Sequence, residues 1–176
     1  MDAEILLWIQ ENIRQEWLTP IVKFITYLGN AGVVWIVLAL LFALWRPYRR
    51  VGITAIAAML FSFIFNNLLL KNLVSRTRPY EVIDGLTLLV APATDYSFPS
   101  GHSATSFAAA VVFVKLFGWR KGVWFLVLAL CISLSRLYVG IHYPTDVLFG
   151  ICSGALMGLL GVWAVGKFYD LFSEKL

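Results

Sequence analysis

Only two histidines occur in this 176-residue sequence, and each lies in a short polar segment between long apolar runs. His102 ends the run Pro99-Ser100-Gly101-His102, and His142 is followed four residues later by Asp146. An imidazole can transfer a proton or attack phosphorus, and a neighbouring carboxylate can fix its tautomer. The spacing therefore lets Asp146 orient His142, and the two imidazoles are candidate proton-transfer groups.

Positive charge accompanies the histidines. Lys71 and Arg78 belong to a third polar segment upstream, and Arg136 precedes His142 by six residues. Guanidinium groups offer forked donors that match phosphate oxygens. Ser100 and Gly101 lie where a helix is predicted to begin, so their backbone N–H groups are further candidate anion ligands. These residue types together are typical of phosphate-ester chemistry at a membrane surface.

The composition indicates that lipid is the solvent of this chain. Hydrophobic residues make up 60% of it and charged residues only 14%, whereas soluble domains average about 25% charged. The net charge of +4 comes from Lys and Arg scattered between apolar runs. Such scattering is typical of membrane topology and site chemistry, and it argues against a nucleic-acid partner.

Five stretches are long or apolar enough to cross a bilayer, which takes about 20 residues per helix. We predict an all-α membrane bundle of five to six transmembrane helices, with residues 31–176 as the membrane-embedded domain. Residues 20–30 are too short to cross alone, and either form a half-buried helix or join a sixth span. The five stretches are 32–46, 51–71, 101–117, 121–139 and 145–167.

Residues 1–30 form a separate N-terminal segment in this prediction. Apolar residues recur there at helical spacing, which predicts an amphipathic helix over 2–18. We expect the helix to lie in the membrane interface, with Trp8 and Trp17 at headgroup depth. Packing on its own bundle is the alternative. The apolar residues are Ile5, Leu6, Ile9, Ile13 and Trp17.

Three glycines mark one face of the last predicted span. Gly150, Gly154 and Gly158 recur every four residues, a spacing that lets two helix backbones approach closely. Packing within the chain is the interpretation we favour. A homodimer seam is the alternative.

The predicted crossings bring all three polar segments to one membrane face, because the second span ends, the third begins and the fourth ends on the same side. The opposite loops and the tail collect basic residues, which favours the cytoplasm for them. The polar segments are therefore expected on the extracytoplasmic face of a multi-pass cell-membrane protein. The basic residues are Arg46, Arg49, Arg50, Lys115, Arg120, Lys121, Lys167 and Lys175.

The sequence resembles the type 2 phosphatidic acid phosphatase family, which shares its site with vanadium haloperoxidases. The family pattern has three parts: K-x6-R-P, then P-S-G-H, then S-R-x5-H-x3-D. The chain matches them in order at Lys71 to Pro79, Pro99 to His102, and Ser135 to Asp146. The resemblance covers about residues 50–165.

The resemblance implies a phosphohistidine on His142, oriented by Asp146. His102 would protonate the leaving oxygen and then activate water. The phosphoryl oxygens would be bound by Lys71, Arg78, Ser100, Gly101 and Arg136.

We expect no metal and no cofactor. The remaining acids on this face, Glu81, Asp84 and Asp95, lack the spacing of metal ligands. Arg76 is expected only to contact lipid headgroups. Asn66 and Asn67 are expected to bond a neighbouring helix.

The predicted substrate is a lipid phosphate or diphosphate. Undecaprenyl diphosphate is preferred by family analogy, with phosphatidylglycerophosphate, phosphatidic acid and a glycolipid-anchor phosphate as alternatives. A transporter is the main non-enzyme alternative, but its ionisable groups would lie along a pathway and not at one face. The family's haloperoxidases are soluble, and five apolar spans argue against that activity.

Overall fold

The computed structural model describes residues 1–173, with side chains to residue 171, and this part of the chain is all-helical. The predicted fold class is confirmed. Lys175, assigned above to a cytoplasmic tail, lies outside the described residues. The helices are α1 Asp2–Asn12, α2 Leu18–Leu28, α3 Val33–Leu44, α4 Arg49–Ser62, α5 Lys71–Val74, α6 Pro79–Val82, α7 Gly101–Phe117, α8 Trp119–Tyr138 and α9 Pro144–Ser173.

Among the described residues, three helical segments are long and apolar enough to cross a membrane alone: Arg46–Val82, Trp119–Tyr138 and Pro144–Leu171. In the same part of the chain, α2 and α3 are long and apolar enough only as a pair, and this pair is bent by 50° about the short turn Asn30–Gly32. The apolar α7 has 17 residues, and at 1.5 Å per residue it is about 26 Å long. These are the elements of a membrane protein, and α3 lies within the stretch predicted over 32–46.

α7 lies at the centre of the bundle and packs against α4, α8 and α9. Small side chains on α7 allow these close approaches, and Ala104, Ala108 and Ala109 are fully buried. Farther along α7, Trp35 donates its indole N–H to Ser106 Oγ at 2.8 Å. The core therefore holds the half of α7 that carries His102 in place.

The glycine face of α9 packs on α7 of the same chain. A Cβ at Gly154 would clash with the Ala104 carbonyl oxygen, and one at Gly150 would lie 2.7 Å from the Ser100 carbonyl oxygen. Packing within the chain is confirmed, so this face is not available as a dimer seam. The contact also brings the first turns of α7 and α9 together.

A π-helical stretch, Phe63–Leu70, joins α4 to α5. Within it Asn66 is buried and accepts a 2.7 Å hydrogen bond from Ser153 Oγ on α9, so the prediction of a helix-to-helix bond is confirmed for Asn66. Its neighbour Asn67 instead lines a cavity together with Lys71. The wide turn lets adjacent residues serve different surfaces.

The helix predicted over 2–18 is interrupted, because α1 ends at Asn12 and α2 begins at Leu18. α1 packs on the bundle: Leu6 is fully buried in a cluster with Leu86 and Tyr143. Gln10 donates to the Gly85 carbonyl at 2.9 Å and accepts from the Thr87 N–H at 2.8 Å. This helix therefore holds the loop that leads into α7.

Candidate active site

A cavity of about 350 Å³ opens at the end of the bundle where α7 and α9 begin. Six of the eight residues proposed from the sequence line it, which agrees with the prediction that the three polar segments meet on one face. The other two, Asp146 and Ser100, are fully buried. The six residues are Lys71, Arg78, Gly101, His102, Arg136 and His142.

His142 lies in the turn between α8 and α9 and is 2% exposed. Its Nδ1 is 3.4 Å from Asp146 Oδ2, and its Nε2 is 3.1 Å from Arg78 Nη1. Burial, and then the positive charges of Arg78, Arg136 and Lys71, lower the pKa of His142 well below its usual value. His142 is thus a neutral imidazole; with Nδ1–H donated to Asp146, Nε2 carries the lone pair.

Asp146 is held rigidly behind His142. Its Oδ1 accepts from Arg76 Nη1 at 2.7 Å. Its Oδ2 accepts from Ser97 Oγ at 2.5 Å and from the Tyr143 N–H at 3.0 Å, in addition to facing His142. A buried carboxylate that accepts from this many donors is held in one orientation, as a group that orients an imidazole requires.

The expectation that Arg76 only contacts headgroups was wrong. Besides Asp146, its guanidinium donates to Thr145 Oγ1 at 2.7 Å and to Asp2 Oδ2 at 3.0 Å. It also lies 3.7 Å over the Tyr143 ring. The chain turns back at Ser75, whose φ is +49°, and this turn directs Arg76 inward to the start of α9.

Asp95 was not proposed as a site residue, yet it bonds two of the three predicted cations. Its Oδ1 accepts from Arg78 Nη2 at 2.6 Å, and its Oδ2 pairs with Lys71 Nζ. Partial burial opposes ionisation, but the hydrogen bond and charge of Lys71 and the charge of Arg78 outweigh it and lower the pKa of Asp95. A lone acid in an irregular loop gives no sequence signal for such a contact.

Arg136 is the third cation on the cavity wall and is 5% exposed. Its Nη1 donates to Thr26 Oγ1 on α2 at 2.7 Å, a partner that the sequence did not suggest. Its buried Nε has no hydrogen-bond partner within the described part of the chain. A buried charged donor without a partner is costly, so this N–H is a natural ligand for an anionic oxygen.

Ser100 does not offer its backbone N–H to the cavity, which corrects the expectation above. That N–H donates to the Asp146 carbonyl at 3.1 Å because the glycine face of α9 brings the two chain segments together. The Ser100 hydroxyl instead caps α7 by accepting from the Ser103 N–H and hydroxyl. Gly101 remains on the cavity wall, beside Asn67.

His102 is positioned by the turn between α2 and α3. Its Nε2 lies 3.0 Å from Asn30 Oδ1, an oxygen that can only accept, so Nε2 carries the proton. Gly29 makes room for the ring, because a Cβ there would lie 2.7 Å from His102 Cδ2. Gly29 and Asn30 both lie before the range, about residues 50–165, that the family resemblance covers.

The positive charge that faces the cavity comes from Lys71, Arg78 and Arg136. Within residues 1–173, no group of three or more His, Cys, Asp and Glu side chains has the arrangement of a metal site. A buried neutral imidazole, a second imidazole and three cations around one cavity can bind a phosphoryl group and transfer it.

Comparisons with known proteins agree with this geometry. The fold matches the crystal structure of LpxE from Aquifex aeolicus with a TM-score of 0.81 and 25% identity, over 92% of this chain and 94% of that one. The undecaprenyl-diphosphatase of Sulfolobus acidocaldarius is 32% identical over 73% of this chain and 62% of its own length. The decaprenylphosphoryl-5-phosphoribose phosphatase of Mycobacterium tuberculosis is 33% identical over 77% and 74%.

This chain thus spans less than two thirds of the Sulfolobus relative's length. The PAP2 superfamily matches residues 51–170. That range contains every cavity residue of the three motifs and Asp95, while Thr26 and Asn30 lie before it. The chain belongs to the PAP2 superfamily.

Proposed function

We propose that this protein is a membrane lipid phosphatase that converts undecaprenyl diphosphate to undecaprenyl phosphate on the extracytoplasmic face. One observation carries the proposal: the neutral, buried His142 is held by Asp146 against a cavity walled by three cations. This arrangement suits an in-line attack on a phosphoryl group.

In the first step His142 Nε2 attacks the terminal phosphorus, and the bond from phosphorus to the bridging oxygen breaks. Arg78 Nη1 lies 3.1 Å from Nε2, and the N–H that it directs there would turn to a phosphoryl oxygen as the N–P bond forms. Lys71 and the unpaired Nε of Arg136 stabilise the other oxygens. His102 protonates the departing oxygen, and Asp146 stabilises the imidazolium on His142.

In the second step water attacks the phosphohistidine, and His102 accepts its proton. The N–P bond breaks, inorganic phosphate leaves, and His142 returns to the neutral form. Both steps use the same three cations, because the charge on the phosphoryl oxygens persists throughout.

A polyprenyl diphosphate is the substrate class we favour. A terminal phosphate of high charge suits three cations, and a phosphate leaving group needs less acid assistance than an alkoxide. Two of the relatives above carry names that refer to polyprenyl lipids. Phosphatidylglycerophosphate and phosphatidic acid are the competing substrates.

The substrate is tested by measuring kcat/KM for undecaprenyl diphosphate, phosphatidylglycerophosphate and phosphatidic acid in one detergent. We expect undecaprenyl diphosphate to be preferred, and His142→Ala to hydrolyse none of them. A tenfold preference for either glycerophospholipid, about 1.4 kcal/mol in transition-state binding, would reassign the substrate. Absence of phosphate release from the whole panel would refute the phosphatase itself.

The extracytoplasmic orientation is supported by the basic residues at the opposite end of the bundle. Arg50 lies over the Tyr169 ring at 5.3 Å, which brings the start of α4 to the far end of α9. Arg120 and Lys121 line a second cavity with Tyr48 at that end. Cytoplasmic loops collect such residues.

Single cysteines in the loop over 80–97, in a background without Cys131 and Cys152, should react with an impermeant thiol reagent on intact cells. Cysteines near Arg49 or Lys121 should react only after the membrane is opened. The reverse pattern would place hydrolysis in the cytoplasm.

A further inference from the structure

The Asp95 carboxylate lies where the phosphoryl group of a substrate would bind. Its two oxygens contact Arg78 Nη2 and Lys71 Nζ, so one anion bridges two of the three cations that face the cavity. A phosphoryl group needs the same two donors. Substrate and Asp95 therefore compete for one place.

The backbone around Asp95 is hydrogen-bonded on both sides, while its carboxylate is half-exposed. Arg78 Nε donates to the Asp95 carbonyl oxygen at 3.0 Å, and the Ser97 N–H donates to the Arg76 carbonyl at 2.8 Å. The Asp95 side chain, in contrast, is 50% exposed. Rotation about χ1 can carry the carboxylate toward solvent between staggered positions without moving the loop.

Arg78 keeps its position when Asp95 turns away. Its Nη1 remains bonded to the Ile141 carbonyl at 2.9 Å, and its Nε remains bonded to the Asp95 main chain. Only Nη2 loses its partner. The guanidinium thus stays poised for a phosphate oxygen, which makes the exchange a replacement of one anion by another.

We propose that Asp95 is a tethered competitor of phosphate, which leaves Lys71 and Arg78 when substrate binds and returns to them to expel the inorganic phosphate product. Three cations around a phosphate dianion would otherwise hold the product tightly, and uniform tight binding does not raise turnover. A tethered carboxylate acts at a high effective concentration. This inference rests on the proposed function, because it assigns the same cavity to phosphate.

The competing explanation is that Asp95 positions the two cations for catalysis. The two roles predict opposite changes. If Asp95 competes, removing its charge strengthens phosphate binding; if it positions Lys71 and Arg78, removing it weakens phosphate binding.

The test compares Asp95→Asn with Asp84→Asn, which removes the same charge from an exposed position of the preceding turn. Inhibition of hydrolysis by inorganic phosphate is measured for both variants and for the unmodified protein. We expect the inhibition constant to fall at least tenfold in Asp95→Asn, with a parallel fall in KM, and to stay unchanged in Asp84→Asn. An unchanged or raised inhibition constant in Asp95→Asn would overturn the proposal.

A second measurement is independent of turnover. Stabilisation by inorganic phosphate against thermal unfolding in detergent is compared between His142→Ala and His142→Ala with Asp95→Asn. Half-maximal stabilisation at a tenfold lower phosphate concentration in the double variant supports the proposal. Equal concentrations in the two proteins overturn the role of Asp95 as a competitor and leave the proposed function standing. If phosphate stabilises neither protein, the cavity is not a phosphate site, and the proposed function falls with it. Asp95→Ala replaces Asp95→Asn if the latter does not fold.

Discussion

Replacing Asp146 with Asn separates the charge of this side chain from its shape. The carboxylate accepts from Arg76 on one oxygen and from Ser97, the Tyr143 N–H and His142 on the other. An Asn side chain can keep its oxygen toward Ser97, the Tyr143 N–H and His142 only if its NH2 group faces Arg76. The variant therefore keeps the contact with His142 and loses the negative charge and the ion pair to Arg76.

The charge matters because His142 becomes an imidazolium when its Nε2 bonds phosphorus. Asp146 Oδ2 lies 3.4 Å from Nδ1. Opposite unit charges about 4 Å apart interact by about 4 kcal/mol at an effective dielectric constant of about 20. Arg76 on the other oxygen offsets part of this. We expect Asp146→Asn to slow phosphorylation of His142 about 100- to 1000-fold, which corresponds to about 3–4 kcal/mol.

The assay follows acid-labile phosphate on the protein in the first turnover with a short-chain, water-soluble phosphate ester. Asp84→Asn serves as the control for loss of one acidic charge and should phosphorylate at the unmodified rate. If Asp146→Asn phosphorylated within tenfold of the unmodified rate, the carboxylate would serve the fold only, and the assigned role of Asp146 would be refuted.

Three further outcomes are expected. His142→Ala should lose turnover by several orders of magnitude while remaining folded, and a tenth of the activity remaining would refute a covalent intermediate. Vanadate should inhibit by occupying the cations Lys71, Arg78 and Arg136, and EDTA should leave activity unchanged; loss with EDTA that Mg²⁺ restores would refute a metal-free site. Because the pKa of His142 is lowered in the fold, the unfolded chain binds a proton there first as pH falls below about 6.5. Above that pH the titration of His142 does not change the free energy of unfolding, and one pH unit below it the free energy of unfolding is lower by about 1.4 kcal/mol. The melting temperature of His142→Gln should therefore fall less between pH 7.5 and 5.5 than that of the unmodified protein. Equal falls in melting temperature would contradict that titration.

The cavity residues that could be predicted from the sequence belong to the three motifs and lie at the ends of helices. Lys71, His102 and Arg136 each follow or begin an apolar run, so counting crossings brings them to one face without any knowledge of packing. His142 and Asp146 are four apart at the start of a span, which fixes their contact locally. These inferences need only local spacing and the thickness of a bilayer.

The partners of these residues were missed because they arrive through tertiary packing. Asp95, Asn30 and Thr26 lie 17 or more residues from the groups they bond, in a loop, a turn and a helix that lie outside the three motifs. The wrong expectations for Ser100 and Arg76 have the same origin. The Ser100 N–H is taken by α9, and Arg76 is turned inward at Ser75, neither of which spacing along the chain reveals.

The π-helical stretch before Lys71 makes the length of that segment more important than its composition. A π turn is equivalent to one residue inserted into an α-helix, and each α-helical residue advances the helix by about 100°. Deleting one residue between Phe63 and Leu70 would restore a regular helix and leave its apolar character unchanged. Because the wide turn absorbs the extra residue, Lys71 would keep its direction, but Asn66 and Asn67 could no longer face α9 and the cavity at the same time. Among natural variants of this protein, substitutions within the stretch should be common and single-residue deletions absent.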